Sequence, residues 1–85
     1  MNNINTSIHT RIDNTYRISS IWREYSNAFF NSWAWETIVW KRHENGTEKI
    51  DFQSNIRNTA DQVITLHKQL CDKIISGLPY EEDDE

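Results

Sequence analysis

The sequence predicts a small α+β domain with an N-terminal helix, a two-stranded antiparallel β-hairpin and a C-terminal helix. Three observations lead to this fold class: a turn motif at Asn45-Gly46, a long run of helical apolar spacing after residue 56, and a shorter helical run from Ser20. The 85 residues suffice for one domain, which we place at 1–80, followed by an acidic tail at 81–85.

The C-terminal helix is predicted over residues 60–76. Thr59 is a suitable N-cap, and Gln62 completes a capping box with it. Gly77 fits the left-handed position after the last turn, and Pro79 prevents the helix from resuming. The apolar face of this helix follows the i, i+3, i+4, i+7 rule and consists of Ile56, Ala60, Val63, Ile64, His67, Leu70, Cys71, Ile74, Ile75 and Leu78.

The hairpin is predicted over about 33–42 and 48–57. Asn45-Gly46 is typical of a two-residue type I′ turn, in which both residues have positive φ. Counting outward from that turn pairs Val39 with Phe52 and Trp40 with Asp51. A register slip of one residue would exchange the two faces of the hairpin.

The two faces of this hairpin both carry large apolar groups. In the predicted register the C-terminal helix packs on the face that holds Trp35 and Val39. Trp40, Ile38 and Ala34 then lie on the opposite face among polar neighbours. One helix can pack on only one face of a two-stranded hairpin. The central question about function is therefore which element or partner packs on Trp40 and Ile38.

The N-terminal third fits two structures. The segment IHTRIDNTYRI at 8–18 alternates around Asp13-Asn14 as a second hairpin would, but its apolar residues also recur at a helical spacing of four. From Ser20 onward, apolar residues recur at three- and four-residue steps. We therefore predict a helix over at least 20–31 that extends back to about residue 14, and leave residues 7–18 open between helix and hairpin.

The charge distribution, the cysteine content and the lack of long apolar runs indicate the structure of the C-terminus, the disulfide content and the cellular location. The formal net charge is −4, but residues 81–85 are all acidic, and a block of like charges is typical of a disordered tail. Cys71 is the single cysteine, which excludes an internal disulfide. Because no long apolar run or signal peptide is visible, we expect a cytoplasmic protein that does not associate with membranes.

No catalytic, cofactor or metal motif stands out. Both glycines, Gly46 and Gly77, are assigned to turns, so no phosphate-binding loop remains. His67 and Cys71 are one helical turn apart, but two ligands do not make a zinc site. We interpret His67 as a core histidine with its ring nitrogens hydrogen-bonded, and expect no enzyme activity and no cofactor.

A protein-binding face is the function that the composition favours. Aromatic residues and arginine dominate interface hot spots because they bury much area at low entropic cost. Trp40 and Ile38 are the predicted anchors, with Glu36 expected to pair with Arg57. The full predicted partner-binding set is Trp40, Ile38, Glu36, Arg42, Arg57, Trp33 and Trp22.

The segment WETIVW at 35–40, the Asn-Gly turn and the helix that begins at Thr59 resemble a family of small tailed-phage proteins. In that family a strand close to Tyr-Glu-Thr-Met-Val-Phe precedes a turn, a second strand and a Thr-capped helix with a histidine two turns in. His67 occupies the position of that histidine. The chain departs from the pattern by having Trp at both aromatic positions. The resemblance implies a phage context and carries over no catalytic residue.

These observations predict a non-enzymatic phage-type accessory protein that binds and inhibits a host protein in the host cytoplasm. The expected target is a component of a defence system, as for an anti-CRISPR or anti-restriction protein. One alternative is a homo-oligomer that sequesters a small signalling ligand, and a homodimer is left open. The other is a small nucleic-acid-binding regulator that uses Lys41, Arg42 and the adjacent tryptophans, which the acidic tail disfavours.

Overall fold

The computed structural model describes residues 7–26 and 31–80, which form a four-stranded antiparallel sheet followed by one helix. The strands are β1 (Ser7–Ile12), β2 (Tyr16–Ser26), β3 (Asn31–Arg42) and β4 (Glu48–Gln53), and the helix α1 is Ala60–Ser76. The strands lie in chain order β1-β2-β3-β4, so β1 and β4 are the edges of the sheet. The predicted acidic tail lies outside the described residues.

The predicted N-terminal helix is wrong. Residues 7–26 form the β1–β2 hairpin instead, with Ile18 paired with Thr10. Asp13 and Asn14 have φ of 52° and 58°, and the N–H of Thr15 donates to the carbonyl of Ile12 over 3.1 Å. These are the positive φ values of a type I′ turn, which Asp and Asn tolerate better than other non-glycine residues.

The predicted two-stranded sheet is also wrong. Its two strands exist, but they are β3 and β4 of a four-stranded sheet. β3 pairs with β2 along its whole length as well as with β4. The pairs Val39–Phe52 and Ile38–Gln53 are as predicted, but Trp40 pairs with Ile50 rather than with Asp51. A β-bulge between Val39 and Trp40 separates the two registers.

The turn at Asn45-Gly46 explains that shift. Only Gly46 has a positive φ there, of 86°, and the N–H of His43 donates to the carbonyl of Thr47 over 2.9 Å. The loop therefore has three residues, with glycine in the left-handed position, instead of the predicted two. The extra loop residue moves the pairing by one position, and the bulge restores the predicted register beyond Val39.

The C-terminal helix is confirmed at 60–76. The side chain of Thr59 accepts from the N–H of Gln62 over 3.2 Å, and the Gln62 side chain accepts from the N–H of Thr59 over 3.2 Å. Gly77 is left-handed, with φ of 69°. Together these contacts satisfy polar groups at both ends of the helix.

The core lies between α1 and one face of the sheet. Ile18 and Val39, which are paired across β2 and β3, are buried against Leu66 and Leu70 of the helix. Phe52 of β4 packs against the same cluster, and the ring of Tyr80 lies 5.2 Å from that of Phe52. The helix thus covers one side of the sheet only.

Candidate protein-binding face

The alternation of side chains along each strand divides the sheet into two faces. Ile18, Thr37 and Val39 point towards α1, so their strand neighbours point away from it. We call this opposite side the helix-free face, because no described element packs on it. Its residues are His9, Arg11, Arg17, Ser19, Ile21, Arg23, Tyr25, Ala34, Glu36, Ile38, Trp40, Arg42, Glu48, Ile50 and Gln53.

An apolar patch occupies one end of the helix-free face. Trp40 and Ile38 are half-buried neighbours along β3, and Ile50 lies opposite Trp40 on β4 with 51% of its surface exposed. Ile21 is diagonal to Ile38 on β2 and is exposed. The three-residue loop produces this patch, since the predicted two-residue loop would have placed the charged Asp51 opposite Trp40 in place of Ile50.

Arg17 connects the apolar patch to a cluster of charges. Its guanidinium carbon lies 5.1 Å from the centre of the Trp40 ring, which is cation–π geometry. It also donates to Glu48 from Nη2 over 3.0 Å and from Nε over 3.3 Å. These hydrogen bonds lower the pKa of Glu48 below its usual value, and Arg11 lies 3.8 Å from the same carboxylate.

A second charged group lies further along β2 and β3. Glu36 is buried, accepts from Arg23 over 3.3 Å, and accepts from the side-chain amide of Gln53. Arg23 lies over the ring of Tyr25 at 5.1 Å. Burial and the neighbouring Glu36 carboxylate both raise the pKa of Tyr25. Both acidic groups of this face are therefore held by arginines from β2.

The structure brings together four of the predicted partner-binding residues. Trp40, Ile38 and Glu36 share the helix-free face, and Arg42 ends β3 on the same side with an exposed side chain. Arg57 lies after β4, where its backbone forms a bridge with Trp35. Glu36 binds Arg23 and Gln53, so Arg23 takes the place of the predicted partner Arg57.

Trp22 and Trp33 lie on the other side of the sheet, together with Trp35. Trp22 pairs with Trp35 across β2 and β3, and the rings of Trp22 and Trp33 stack with their centres 6.1 Å apart. Trp35 is buried, whereas Trp33 is 53% exposed. These three residues form a tryptophan cluster that is separate from the patch around Trp40.

Sequence reasoning did not assign Arg11, Arg17 and Arg23 to the site. Their six-residue spacing does not follow one face of a helix, which was the structure predicted for this segment. On a strand, an even spacing keeps Arg17 and Arg23 on one face, and the β1–β2 hairpin places Arg11 opposite Arg17. The alternation around Asp13-Asn14 was the feature that could have revealed this.

His67 has the predicted core role, and both ring nitrogens are hydrogen-bonded. Nδ1 is 2.8 Å from the hydroxyl of Ser20, and Nε2 is 2.9 Å from the hydroxyl of Thr10. Ser20 is also 2.8 Å from the hydroxyl of Thr37. Burial lowers the pKa of His67, with a smaller contribution from His9. We call these four residues, Thr10, Ser20, Thr37 and His67, the buried polar network.

Ser20 and His67 are as close as a catalytic nucleophile and its base, but a substrate could not reach the Ser20 hydroxyl. Ser20 is fully buried, and His67 is buried between α1 and the sheet. Both nitrogens of His67 already have hydroxyl partners. Within residues 7–26 and 31–80, no group of three or more histidine, cysteine or acidic side chains is arranged to hold a metal ion.

No protein-family model matches the chain, and neither a curated protein nor a solved structure matches it. The resemblance to small phage proteins therefore stays a prediction. Among the described elements, α1 is the single helix, and it lacks the length and apolar character needed to cross a membrane.

Proposed function

We propose that this chain is a non-enzymatic phage-type accessory protein that binds and inhibits a host protein through the helix-free face. The anchors are Trp40, Ile38 and Ile50, and the rim is formed by Arg17 with Glu48 and by Arg23 with Glu36. The single observation that carries the proposal is the apolar patch around Trp40 on a sheet face that no described element covers. Inhibition follows from steric blocking of the target.

The composition of the face supports a protein partner. Interface cores combine aromatic and aliphatic anchors with arginine, and their rims are polar. Trp40 is an anchor of this kind, and the guanidinium of Arg17 lies over its ring. Because Arg17 is paired with Glu48 and Arg23 with Glu36, a partner can cover these four groups without leaving an isolated buried charge.

A binding role is favoured over catalysis by the position of the reactive groups. The Ser20–His67 pair lies between α1 and the sheet, on the opposite side of the sheet from Trp40. The carboxylate of Glu36 is held by Arg23 and Gln53 rather than being available as an acid or base. In the phage context that the sequence resemblance implies, the target is a host defence protein such as a CRISPR effector or a restriction enzyme.

The proposal is tested by adding the purified chain to reconstituted CRISPR and restriction DNA-cleavage reactions, and by affinity capture from lysates of the host bacterium. We expect one host protein to be captured and its activity to fall. The variant Ile50→Glu should abolish capture because it places a charge in the patch, while Leu78→Glu, at a residue 58% exposed just after α1, is the matched control outside the face. Equal capture by both variants, or capture of no host protein, would contradict the proposal.

A nucleic-acid-binding regulator is the second candidate, because Arg11, Arg17 and Arg23 share the face with Trp40. Two of these arginines are paired with carboxylates over 3.0 Å and 3.3 Å, which reduces their attraction for phosphate. Binding to single- or double-stranded nucleic acid that weakens steeply with salt would favour this candidate. Absence of binding at low salt would end it.

A further inference from the structure

Strand β1 forms an edge of the sheet that no described element pairs with. The carbonyl of Ile12 accepts from Thr15 at the turn to β2, so the backbone groups of Ile12 face β2. Backbone groups alternate in direction along an antiparallel strand, which turns those of His9 and Arg11 towards the open side. An unpaired edge of this kind is a template for a further strand.

The opposite edge of the sheet is protected. β4 contains the bulge opposite Val39 and Trp40, which disrupts regular pairing. The hydroxyl of Tyr80 donates to Asp51 over 2.6 Å, and its ring covers Phe52. Within the described residues β1 has neither a bulge nor a covering segment, and its burial alternates regularly along all six positions.

The helix has an apolar flank on the same side as the β1 edge. Ile64, Cys71 and Ile75 are spaced by seven and four residues, which places them on one flank of α1. Ile64 is 51% exposed and Ile75 is 71% exposed. A groove of about 280 Å³ separates this flank from β1 and is lined by Ile8, Thr10, Ile64, His67, Lys68 and Cys71.

We propose that the β1 edge is the interface for a second copy of this chain, which pairs its own β1 antiparallel to the first about a two-fold axis. The two sheets then form one continuous eight-stranded sheet with both helices on the same side. The apolar flanks, with Ile64 and Ile75 from each helix, meet over the two grooves and close them.

A second copy fits these features better than an isolated foreign strand. A single added strand would satisfy the backbone of β1 and cover the groove, but Ile75 does not line that groove and is 71% exposed, so it needs a larger partner surface. Pairing two six-residue strands alone would also bury less surface than the roughly 1,200–2,000 Å² of a stable interface. The helix flanks supply further apolar area in the proposed dimer. The two-fold axis brings identical apolar surfaces together, as an isologous dimer requires. It also leaves both helix-free faces uncovered, so this inference does not depend on the proposed function.

The test is the mass of the full chain in solution, measured by sedimentation across a concentration series. We expect a species of twice 10.2 kDa that dissociates on dilution. Ile75→Glu should weaken self-association at least about tenfold by placing two like charges at the interface. Ile56→Glu, which alters a half-exposed residue that follows β4 at the opposite edge of the sheet, should leave self-association unchanged.

A backbone variant tests the strand pairing itself. His9→Pro removes an N–H that faces the open edge, and so it spares the hydrogen bonds between β1 and β2. It should convert the dimer to a monomer while the helical circular-dichroism signal is kept. If this variant fails to fold, Ile75→Glu remains decisive because Ile75 lies outside the sheet and is exposed. A monomer at every concentration, or a dimer that Ile75→Glu leaves intact and Trp40→Ala disrupts, would overturn the inference.

Discussion

At the scale of single residues, His67 links the helix to the sheet. It is the polar member of an otherwise apolar helix face, and it reaches hydroxyl groups on both β1 and β2 through its two ring nitrogens. Thr37 extends the network into β3 through Ser20. Because these hydroxyls are wholly or partly buried, each depends on the others for its hydrogen bonds, and this orients the helix on the sheet.

Replacing His67 with leucine should lower the free energy of unfolding by about 1–3 kcal/mol, because the hydroxyls of Ser20 and Thr10 lose a buried partner. Urea unfolding followed by tryptophan fluorescence measures this change. The exposed neighbour Gln69 provides the control, since Gln69→Ala should alter stability by less than about 0.5 kcal/mol. Equal effects of the two variants would show that the network contributes nothing to stability.

The same histidine should make stability depend on pH. Burial lowers the pKa of His67 in the folded protein from its usual 6.5, so the unfolded chain binds a proton more readily. Stability from this residue is therefore complete above about pH 6.5, and it is lost as pH falls from there through the folded pKa. Urea midpoints measured at pH 7.5 and pH 5.0 should differ less in His67→Gln than in the wild type. His43→Gln, at an exposed turn position, should retain the wild-type difference.

At the scale of elements, the two hairpin turns set which side chains share a face. The turn at Asp13-Asn14 aligns Arg11 with Arg17, and the three-residue loop at Gly46 brings Ile50 opposite Trp40. A two-residue loop at Asn45-Gly46 would have placed Asp51 there. The Trp40–Ile50 pair thus depends on one extra residue in the loop, and the bulge then returns Gln53 to the position opposite Ile38.

Substitutions at Asn14 distinguish the β1–β2 hairpin from the helix that the sequence predicts for the same segment. Asn14→Gly should stabilise the protein or leave it unchanged, because glycine adopts φ of 58° without strain. Asn14→Val should cost about 1–2 kcal/mol, since a β-branched residue resists that conformation. Thermal unfolding of both variants shows which of them is the more stable. A helix at this position would produce the opposite order, with glycine the more damaging substitution.

Local sequence signals explain which elements could be predicted. Thr59, Gln62 and Gly77 define the C-terminal helix by contacts within the helix itself, so its bounds followed from the sequence. In the N-terminal third, Ile8, Ile12 and Tyr16 recur every four residues, and a spacing of four keeps one face of a strand as well as of a helix. Only the pairing of β2 with β3 decides between them, and that contact joins residues far apart in the chain.

The candidate site was predictable in part for the same reason. Ile38, Glu36 and Trp40 alternate along one strand, so their common face followed from the period of two. Arg17 and Arg23 could not be added without knowing that their segment is β2. Trp22 and Trp33 were grouped with Trp40 by composition, and the alternation of β2 and β3 places them with Trp35 instead.

At the scale of the whole molecule, the fold is a sheet with two unequal sides. One side packs against α1 and holds the core and the buried polar network. The other presents Trp40, Ile38 and Ile50 between two arginine–carboxylate pairs. The proposed function assigns a host protein to this second side, and the proposed dimer uses the β1 edge, so the two interfaces do not compete.

The measurement that tests the proposed face most directly is a calorimetric titration of the captured host protein with Trp40→Ala, combined with thermal unfolding of the free variant. The account predicts that the variant unfolds within about 5 °C of the wild type, because Trp40 is half-buried on an open face. Its affinity for the host protein should fall at least about 100-fold, as for loss of a central anchor. An unchanged dissociation constant, or a Trp40→Ala protein that no longer folds, would contradict the assignment of Trp40 to a binding surface.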